Sequence, residues 1–262
     1  MKLLHKLLKL LLLMIHILLG MGLAVVLFSP RLPLVKRWRT TVVQMWSQRL
    51  CRLCGLQINC SGQIASAPTL FVANHISWLD IFALLATFPM TFVAKQEVAR
   101  WPVIGWLVQR VGTLFIARGQ FRAAAEVSAR MTTALGHQTN ILFFPEGTST
   151  RGDMVKRFHA RLFQAAIETE AWVQPIALRY PHEAGLNPSA PYVDDDNLFN
   201  HLWQILEASP LSLEICFCTP ISAQHQKRRE LAEYARAEIM QVLKPYQQSE
   251  LHSFNATGGR SL

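Results

Sequence analysis

The sequence is poor in charged residues, and this scarcity limits the classes of protein that it can encode. Only 16% of the 262 residues are charged and 51% are hydrophobic, while the 26 Lys and Arg exceed the 17 Asp and Glu by nine. Low charge with high hydrophobicity excludes a largely disordered chain, and the length allows a domain with a substantial core. The basic excess leaves two classes of partner, nucleic acid and anionic membrane lipid, which differ in where the charge lies.

Acidic residues are missing from the first 79 positions, and this part of the chain contains a long apolar run. Residues 10–28 are nineteen in number and have His16 as their only ionisable side chain. This is about the length of a membrane-spanning helix, on the rule of roughly 20 apolar residues per bilayer. Because no A-x-A site closes the run, we predict a retained membrane anchor rather than a cleaved signal peptide.

Basic residues flank the apolar run on both sides, so the positive-inside rule does not decide its topology. The run either spans the bilayer or dips into one leaflet. Nine basic residues occur between positions 1 and 55: Lys2, Lys6, Lys9, Arg31, Lys36, Arg37, Arg39, Arg49 and Arg52. They favour attraction to an anionic bilayer surface, at about 1 kcal/mol per charge near the lipid. A nucleic-acid binder would instead cluster its basic residues on a folded face with exposed aromatics, so we expect no nucleic-acid partner.

A second apolar pattern follows the run and predicts a helix. Apolar side chains recur at spacings of three and four over positions 38–53, with arginines between them. The tryptophans Trp38 and Trp46 suit a helix that lies among lipid head groups, and packing on the folded domain is the alternative. Gly55 is the expected C-terminal stop. We therefore assign residues 1–55 to a membrane anchor followed by an amphipathic interfacial helix.

Cysteines are few, and their pattern does not predict a disulfide or metal framework. Cys51 and Cys54 form a C-x-x-C, which occurs in redox pairs and as half of a zinc site. No second pair of cysteine or histidine residues accompanies it at a suitable spacing, so we interpret both cysteines as structural and expect no metal site. The odd total of five argues against a secreted disulfide scaffold and indicates a reducing compartment.

From residue 56 onward, short strands alternate with helices. The predicted strands are residues 69–73, 91–94, 113–117, 141–144, 173–179 and 211–218. The predicted helices are residues 80–87, 101–111, 120–135, 158–169 and 226–246. This alternation predicts an α/β fold, a mostly parallel sheet flanked by helices, over residues 56–250. Residues 181–200 are predicted to be irregular, and residues 251–262 are predicted to form a disordered tail.

The most informative motif is FVANHISWLD at residues 71–80, in which a predicted strand ends in Asn74 and His75 and Asp80 follows as a helix begins. Ligands of open α/β sheets bind outside the carboxyl ends of the strands, so His75 is a candidate general base. Two residues separated by five positions in one helix are rotated by about 140° from each other around the helix axis. His75 and Asp80 can therefore pair only if His75 lies on the loop and Asp80 in the first helical turn. A capping Asp80 beside an unrelated loop histidine is the alternative.

Two further strand ends carry charged residues. GTLFIAR ends on Arg118, whose planar guanidinium suits an anionic ligand, and FFPEGT places Glu146 in a turn. A salt bridge between Arg118 and Glu146 is the structural alternative. The third strand, VQPIA, contains Pro175, which predicts an edge strand or a special position within the sheet.

Together, NH-x4-D at 74–80, GTLFIAR at 112–118, FPEGT at 144–148 and VQPIA at 173–177 resemble the four ordered blocks of the glycerolipid acyltransferase family. The resemblance covers residues 70–180 and is closest to bacterial 1-acyl-sn-glycerol-3-phosphate acyltransferases. It implies transfer of an acyl chain from a thioester to the hydroxyl of a lysophospholipid, with His75 as base and Asp80 as its orienting partner. The substrate-binding residues expected at the matching positions and beside them are Asn74, Arg118, Glu146, Gly147, Thr148 and Arg151.

The chemistry of these residues agrees with that expectation. An alcohol that attacks a thioester needs a base, whereas the thiolate leaves readily, and the sequence has no G-x-S-x-G nucleophile elbow. G-x-G-x-x-G and P-loop motifs are also missing, so nucleotide chemistry is not supported and no bound cofactor is expected. Acyl-CoA or acyl carrier protein is the expected donor, and no feature of the sequence chooses between them. A non-catalytic lipid-binding protein is a further alternative.

One departure from the family pattern affects the acceptor. The third block commonly continues EGT-Arg-Ser, whereas here Ser149 and Thr150 precede Arg151. We expect 1-acyl-glycerol-3-phosphate as acceptor, acylated at the sn-2 hydroxyl to give phosphatidic acid for phospholipid biosynthesis, with lyso-ornithine lipid as the alternative. The resemblance implies a bacterial inner-membrane enzyme whose active site faces the cytoplasm.

Overall fold

A computed structural model describes residues 2–28, 36–65, 68–101, 103–117, 121–183, 185–193 and 196–257. Its helices are α1 Lys2–Leu27, α2 Lys36–Leu53, α3 Leu79–Thr87, α4 Ile104–Arg110, α5 Phe121–Gly136, α6 Gln164–Glu168, α7 Leu198–Ala208 and α8 Arg228–Thr257. Its strands are β1 Leu56–Gly62, β2 Thr69–Ala73, β3 Thr91–Lys95, β4 Leu114–Ile116, β5 Ile141–Phe143, β6 Trp172–Arg179, β7 Pro181–His182, β8 Gly185–Leu186, β9 Leu211–Phe217 and β10 Ile221–Ser222. Short 3-10 helices cover Gln96–Arg100 and Ala160–Phe163.

The central sheet is mostly parallel, which confirms the predicted fold class. Its strands follow the order β1-β9-β6-β2-β5-β3-β4, and β10 pairs with β6. Among the described residues of this sheet, five strand pairings are parallel, and the pairings of β6 with β9 and with β10 are antiparallel. The carboxyl ends of β2, β5 and β6 therefore lie side by side at one edge of the sheet.

The proline in β6 is not at an edge of the sheet. β6 pairs with β2 on one side, and on the other side its first residues pair with β10 and its last residues with β9. Pro175 lies between the β10 and β9 pairings, where a missing N–H costs no ladder hydrogen bond. Of the two predicted placements, the special position is correct and the edge strand is wrong.

Helices cover both faces of the sheet. On β2, the side chains of Phe71 and Ala73 pack into a hydrophobic cluster with α1, α2, α3, α4 and α7. Leu70 and Val72 point to the opposite face and pack with α5, α6 and α8. This alternation is the period of two expected of a strand that is buried on both faces. We call these the anchor face and the α8 face of the sheet.

Helix α1 carries the predicted apolar anchor and packs against the anchor face. The segment Leu3–Leu27 is long and apolar enough to cross a membrane. Its inner side buries Leu13, His16 and Ala24. Thirteen large hydrophobic side chains are exposed on its outer side: Leu3, Leu4, Leu7, Leu8, Leu11, Leu12, Met14, Ile15, Leu18, Leu19, Leu23, Val25 and Val26. An exposed apolar surface of this extent indicates a contact with lipid or another apolar partner.

Two groups of contacts attach α1 to the rest of the protein. Near the start of α1, Lys6 forms an ion pair of 2.8 Å with Glu207 of α7, so this basic residue is compensated in the fold. Further along, the Nε2–H of His16 donates to the carbonyl of Trp46 at 3.0 Å, and the indole N–H of Trp46 donates to the carbonyl of His16 at 3.2 Å. The two rings are stacked, with centroids 4.8 Å apart. Gly20 permits this approach, because a Cβ there would lie 2.4 Å from the Trp46 ring nitrogen.

Several elements differ from the sequence-based prediction. The edge strand β1 was not predicted, because most of its side chains are polar and exposed. Helix α7 begins within residues 181–200, which were expected to be irregular, and Asn197 caps it by accepting from the N–H groups of Phe199 and Asn200. Helix α8 continues to Thr257, through part of the predicted disordered tail, and residues 258–262 lie outside the described residues.

Candidate active site

Three polar side chains come together where adjacent parallel strands end. His75 lies on the loop after β2, Glu146 on the turn after β5, and Tyr180 directly after β6. Since β2 pairs with β5 on one side and with β6 on the other, this topology brings the three segments to one edge of the sheet. This is the place where open α/β sheets bind their ligands.

His75 and Asp80 form a direct hydrogen bond of 2.9 Å between Nδ1 and Oδ2. His75 lies on the loop and Asp80 lies in the first turn of α3, as the spacing argument requires. The same carboxylate oxygen accepts the backbone N–H groups of Ile76 and Ser77, at 2.7 Å and 2.9 Å. The loop is therefore folded around Asp80, whose side chain is fully buried.

This geometry sets the tautomer of His75. Because Oδ2 of Asp80 accepts, Nδ1 of His75 carries the proton and Nε2 has a free lone pair in the neutral ring. The imidazole stacks on Phe144, with ring centroids 3.9 Å apart and planes 15° apart. Its side chain is 18% exposed, so the ring is held from two sides and still reaches solvent. A neutral imidazole with this orientation can accept a proton at Nε2.

Tyr180 completes the surroundings of Asp80 and was not predicted from the sequence. Its hydroxyl donates to Oδ1 of Asp80 at 2.7 Å. Burial raises the pKa of Tyr180 well above its ordinary value, and the charge of Asp80 raises it further, so the hydroxyl remains a donor. Asp80 accepts four hydrogen bonds in total, which stabilise the carboxylate form inside the protein. No local motif marks Tyr180, which lies 100 residues after Asp80 in the chain.

Glu146 uses both carboxylate oxygens to hold two backbone segments together. Oε1 accepts the N–H of His75 at 2.9 Å, and Oε2 accepts the N–H of Lys156 at 2.8 Å. Burial raises the pKa of Glu146, although these two hydrogen bonds act in the opposite direction. Its first effect is thus to position the backbone of the loop that carries His75. Arg118, the proposed salt-bridge partner, lies outside the described residues.

The remaining residues of the third block surround this turn. Gly147 has a φ of 70°, a conformation that suits glycine, and its N–H donates to the carbonyl of Phe144 at 3.1 Å. That N–H closes the turn and is not free to bind an oxyanion. Thr148 is half-buried and Arg151 is exposed. The Ser149 hydroxyl donates to the carbonyl of Tyr192, so the position where the family commonly has an arginine is tied to a neighbouring loop.

Asn74 has a structural position in the sheet. Its side-chain amide donates to the carbonyl of Leu178 at 2.9 Å and accepts the N–H of Leu178 at 2.8 Å. The residue is 1% exposed, and both ends of its amide are satisfied by β6. The amide therefore holds β2 against β6, and the substrate-binding role of Asn74 stays a prediction.

The C-x-x-C cysteines are buried at the end of α2 and just after it. Cys51 and Cys54 are 1% and 0% exposed, and both thiols are free. Burial raises the pKa of each to about 12, which suppresses the reactive thiolate. Their interpretation as structural cysteines is confirmed.

Comparisons with known proteins show the family to which this chain belongs. A family model described as Acyltransferase matches residues 57–179, which include every residue of the site described above except Tyr180 and Tyr192. A lyso-ornithine lipid O-acyltransferase from Pseudomonas aeruginosa is 39% identical over 228 residues, covering 86% of this chain and 88% of that protein. A 1-acyl-sn-glycerol-3-phosphate acyltransferase from Neisseria gonorrhoeae is 37% identical over 175 residues, covering 66% of this chain and 69% of that protein.

A solved structure has the same fold. The crystal structure of the 1-acyl-sn-glycerophosphate (LPA) acyltransferase PlsC from Thermotoga maritima superposes with a TM-score of 0.65, covering 92% of this chain and 95% of that chain. The two sequences are 17% identical, so this likeness concerns the fold. From the family model, the relatives and the fold, we conclude that the chain belongs to the acyltransferase family and is an enzyme of lysophospholipid-type acylation.

Proposed function

We propose that this enzyme transfers an acyl chain from a thioester to the hydroxyl of a lyso-lipid, with His75 as the general base. The observation that carries the proposal is the hydrogen-bonded pair of His75 and Asp80 at the carboxyl edge of the sheet. Nε2 of His75 takes the proton of the acceptor hydroxyl as its oxygen attacks the thioester carbonyl. The tetrahedral intermediate then expels the thiolate, which takes the proton from the imidazolium.

Asp80 has two effects on this reaction. It keeps the proton of neutral His75 on Nδ1, and its charge stabilises the imidazolium that forms after proton transfer. Because the carboxylate is fully buried, its interaction with the imidazolium is less screened than that of a surface pair. The acyl donor, acyl-CoA or acyl carrier protein, supplies a thiolate leaving group, so the mechanism uses no covalent enzyme intermediate.

Lyso-ornithine lipid is the first of two candidate acceptors. The relative that acts on this lipid, according to its name, matches almost the whole chain. The third block also favours it: Ser149 stands where the family commonly has arginine, and its hydroxyl is bonded to the Tyr192 carbonyl. A cation for a phosphate is therefore missing at that position, as expected for a head group without phosphate.

The second candidate acceptor is 1-acyl-glycerol-3-phosphate, whose acylation yields phosphatidic acid. The Neisseria relative favours it, and the exposed Arg151 lies two positions after Ser149, near enough in sequence to replace the usual arginine. This reading predicts that Arg151→Ala raises the KM for the phosphate acceptor about tenfold, since a charged hydrogen bond to an anion is worth about 1.5–3 kcal/mol. Arg130→Ala, at an exposed position on α5, is the matched control.

We also propose that α1 lies in one leaflet of the bacterial inner membrane, with the active site facing the cytoplasm. Contacts hold α1 against the domain near its start, through Lys6 with Glu207, and near its middle, through His16 with Trp46. A helix attached in this way does not cross the bilayer independently of the domain. Its outer apolar side then faces the acyl chains, and the exposed Trp38 and Met45 of α2 lie near the head groups.

The test is a product analysis with purified full-length enzyme in mixed micelles. Lyso-ornithine lipid and 1-acyl-glycerol-3-phosphate are each offered with acyl-CoA and with acylated carrier protein, and diacyl products are identified by mass spectrometry. We expect product with at least one pair and its loss in His75→Ala. Normal turnover in His75→Ala contradicts the mechanism, and no product from any pair contradicts the proposed function.

A further inference from the structure

A second concave surface lies on the α8 face of the sheet. It is a groove of about 820 Å³ between helix α8 and the segment 157–160. Along α8, the lining residues recur at spacings of three and one from Arg229 to Lys244, which is one side of the helix over about 22 Å. We call this surface the α8 groove.

The rim of the α8 groove is basic and its floor is apolar. Arg157, Arg229, Arg236 and Lys244 line it together with a single acidic residue, Glu233. The structure shows no ion pair for Arg157, Arg229 or Lys244 with any of the residues it describes. Between the basic residues the floor is formed by small or apolar side chains: Phe158, Ala160, Ala232, Ala237 and Met240.

The α8 groove faces away from the membrane anchor. Helix α8 packs on the face of the sheet that buries Leu70 and Val72, whereas α1 packs on the opposite face. The charged residues of the groove therefore lie on the side of the sheet opposite to α1, whose apolar surface faces lipid in the proposed arrangement. A basic groove so placed suits a partner that arrives from the aqueous phase.

The groove is also connected to the active site by a short path. Arg236 donates from Nη2 to the carbonyl of Val155 at 2.8 Å and from Nε to the carbonyl of Lys156 at 3.1 Å. The N–H of Lys156 donates to Glu146, which in turn accepts the N–H of His75. Residues 155 and 156, which directly precede the groove wall formed by residues 157–160, are thus fixed both to α8 and to the loop that carries His75.

We propose that the α8 groove docks an acidic amphipathic helix of an acyl carrier protein, which delivers the acyl thioester to His75. This inference rests on the proposed acyl transfer from a thioester. The basic rim complements acidic side chains, and the apolar floor with Ala232 and Ala237 allows a helix to approach closely. Such a combination is the usual form of helix-in-groove recognition.

The dimensions favour a helix over the nucleotide of coenzyme A. The basic residues of α8 are spread along the groove, seven residues from Arg229 to Arg236 and eight from Arg236 to Lys244. These separations are about 10 and 12 Å, close to two turns of a facing helix. The phosphates of one nucleotide would need cations converging on a smaller area.

Charge reversal in the full-length enzyme tests the proposal. Arg229→Glu and Lys244→Glu are compared with Arg130→Glu, which makes the same change at an exposed position outside the groove. A glutamate in the first turn of α8 is compatible with folding, because acidic residues are favoured there. We expect each groove variant to raise the KM for acylated carrier protein at least tenfold and to change the KM for acyl-CoA less than twofold. Arg130→Glu should change neither value more than twofold.

A direct binding measurement separates this inference from the proposed function. Fluorescently labelled carrier protein without an acyl chain is titrated with enzyme, so no turnover is needed. We expect saturable binding that weakens as the salt concentration rises. Ala237→Trp, which fills the floor without changing the charge, should also weaken this binding at least tenfold. Product formation without carrier-protein binding overturns only the docking inference, whereas binding without product from any acceptor overturns only the acyl transfer. An equal loss with both donors, or a loss with acyl-CoA alone, also overturns the docking inference.

Discussion

Two buried carboxylates, Asp80 and Glu146, lie in the same site and differ in the groups that donate hydrogen bonds to them. Asp80 accepts from the imidazole of His75 and from the hydroxyl of Tyr180 as well as from two backbone N–H groups. Glu146 accepts from backbone N–H groups at both oxygens, those of His75 and Lys156. Asp80 is therefore placed to act on the imidazole of His75, whereas Glu146 acts on the backbone that carries it.

The comparison shows that burial alone does not identify a catalytic carboxylate. The exposed fractions are almost the same, 0% for Asp80 and 4% for Glu146. The type of donor differs, and this difference predicts different results when each carboxylate is replaced by its amide. An amide keeps the acceptor oxygen but replaces the second oxygen with a donor.

The largest expected effect is that of Asp80→Asn. The amide oxygen can keep the three hydrogen bonds now made by Oδ2, and the new NH₂ group can donate to the Tyr180 hydroxyl, which reverses its role. The fold is thus preserved while the charge beside His75 is lost. We expect kcat to fall by about 10³–10⁴-fold, as in other histidine–carboxylate pairs, with little change in Tm.

Steady-state kinetics and a thermal melt of Asp80→Asn check this expectation together. A large decrease in Tm would show that Asp80 acts mainly on the fold. Asp80 and Glu146 would then not differ in the way proposed, with Asp80 acting on the imidazole and Glu146 on the backbone.

Glu146→Gln is expected to affect stability as well as rate. Both oxygens of Glu146 accept backbone N–H groups, so the NH₂ group of glutamine must face either His75 or Lys156 as a second donor. One buried N–H then loses its partner, which costs about 1–3 kcal/mol of unfolding free energy. We expect kcat to fall about tenfold through displacement of the His75 loop, measured beside a denaturant titration. A loss of activity without a loss of stability would indicate direct contact of Glu146 with substrate.

Tyr180→Phe is expected to have a smaller effect on rate. It removes one of four donors to Asp80 and leaves the others in place, at a cost of about 1.5–3 kcal/mol for a hydrogen bond to a charged group. We expect kcat to fall about three- to tenfold with little change in KM, because Asp80 and through it His75 are held less firmly, while substrate contacts are kept.

The control for Tyr180→Phe is Tyr234→Phe. The Tyr234 hydroxyl donates to the carbonyl of Thr219, outside the active site. Its removal should leave kcat and KM unchanged in steady-state kinetics. If both variants lower kcat equally, Tyr180 has no specific role in positioning Asp80.

The smallest expected effect is on the pH dependence of stability. Burial raises the pKa of Glu146 in the folded protein, so the folded state binds this proton more tightly than the unfolded chain. Its contribution to stability is fully present below the unfolded-state pKa and is lost as pH rises through the raised folded-state pKa. Relative to Glu146→Gln, the wild type should therefore lose unfolding free energy as pH rises across this window. Urea titrations at several pH values measure the difference, and a wild type that gains stability there would contradict the direction of the shift.

Local features of the site were predictable from the sequence. The pairing of His75 with Asp80 follows from five-residue spacing and from the need for one residue on the loop and the other in the first helical turn. The strand ends after β2 and β5 were recognisable from their apolar runs and the polar residues that follow. These inferences depend on interactions within ten residues, for which spacing is a sufficient guide.

Contacts between distant segments were not predictable in this way. Tyr180 reaches Asp80 only because β6 pairs with β2, and the sequence pattern does not specify that pairing. For the same reason Asn74 was assigned to substrate, although its amide is bonded to Leu178 on β6. The placement of Pro175 was ambiguous because the cost of its missing N–H depends on which strand lies beside it. That neighbouring strand changes from β10 to β9 at Pro175.

The reciprocal hydrogen bonds of His16 and Trp46 have a consequence for the distance between the lipid and the reacting atoms. They hold α1 to α2, and Gln44 and Gln48 of α2 donate to carbonyls at the end of α3, the helix that carries Asp80. An unbroken series of contacts thus joins the apolar anchor to the catalytic pair. With α1 in the leaflet, the imidazole of His75 is held at one height above the acyl chains, and only an acceptor hydroxyl at that depth comes within its reach.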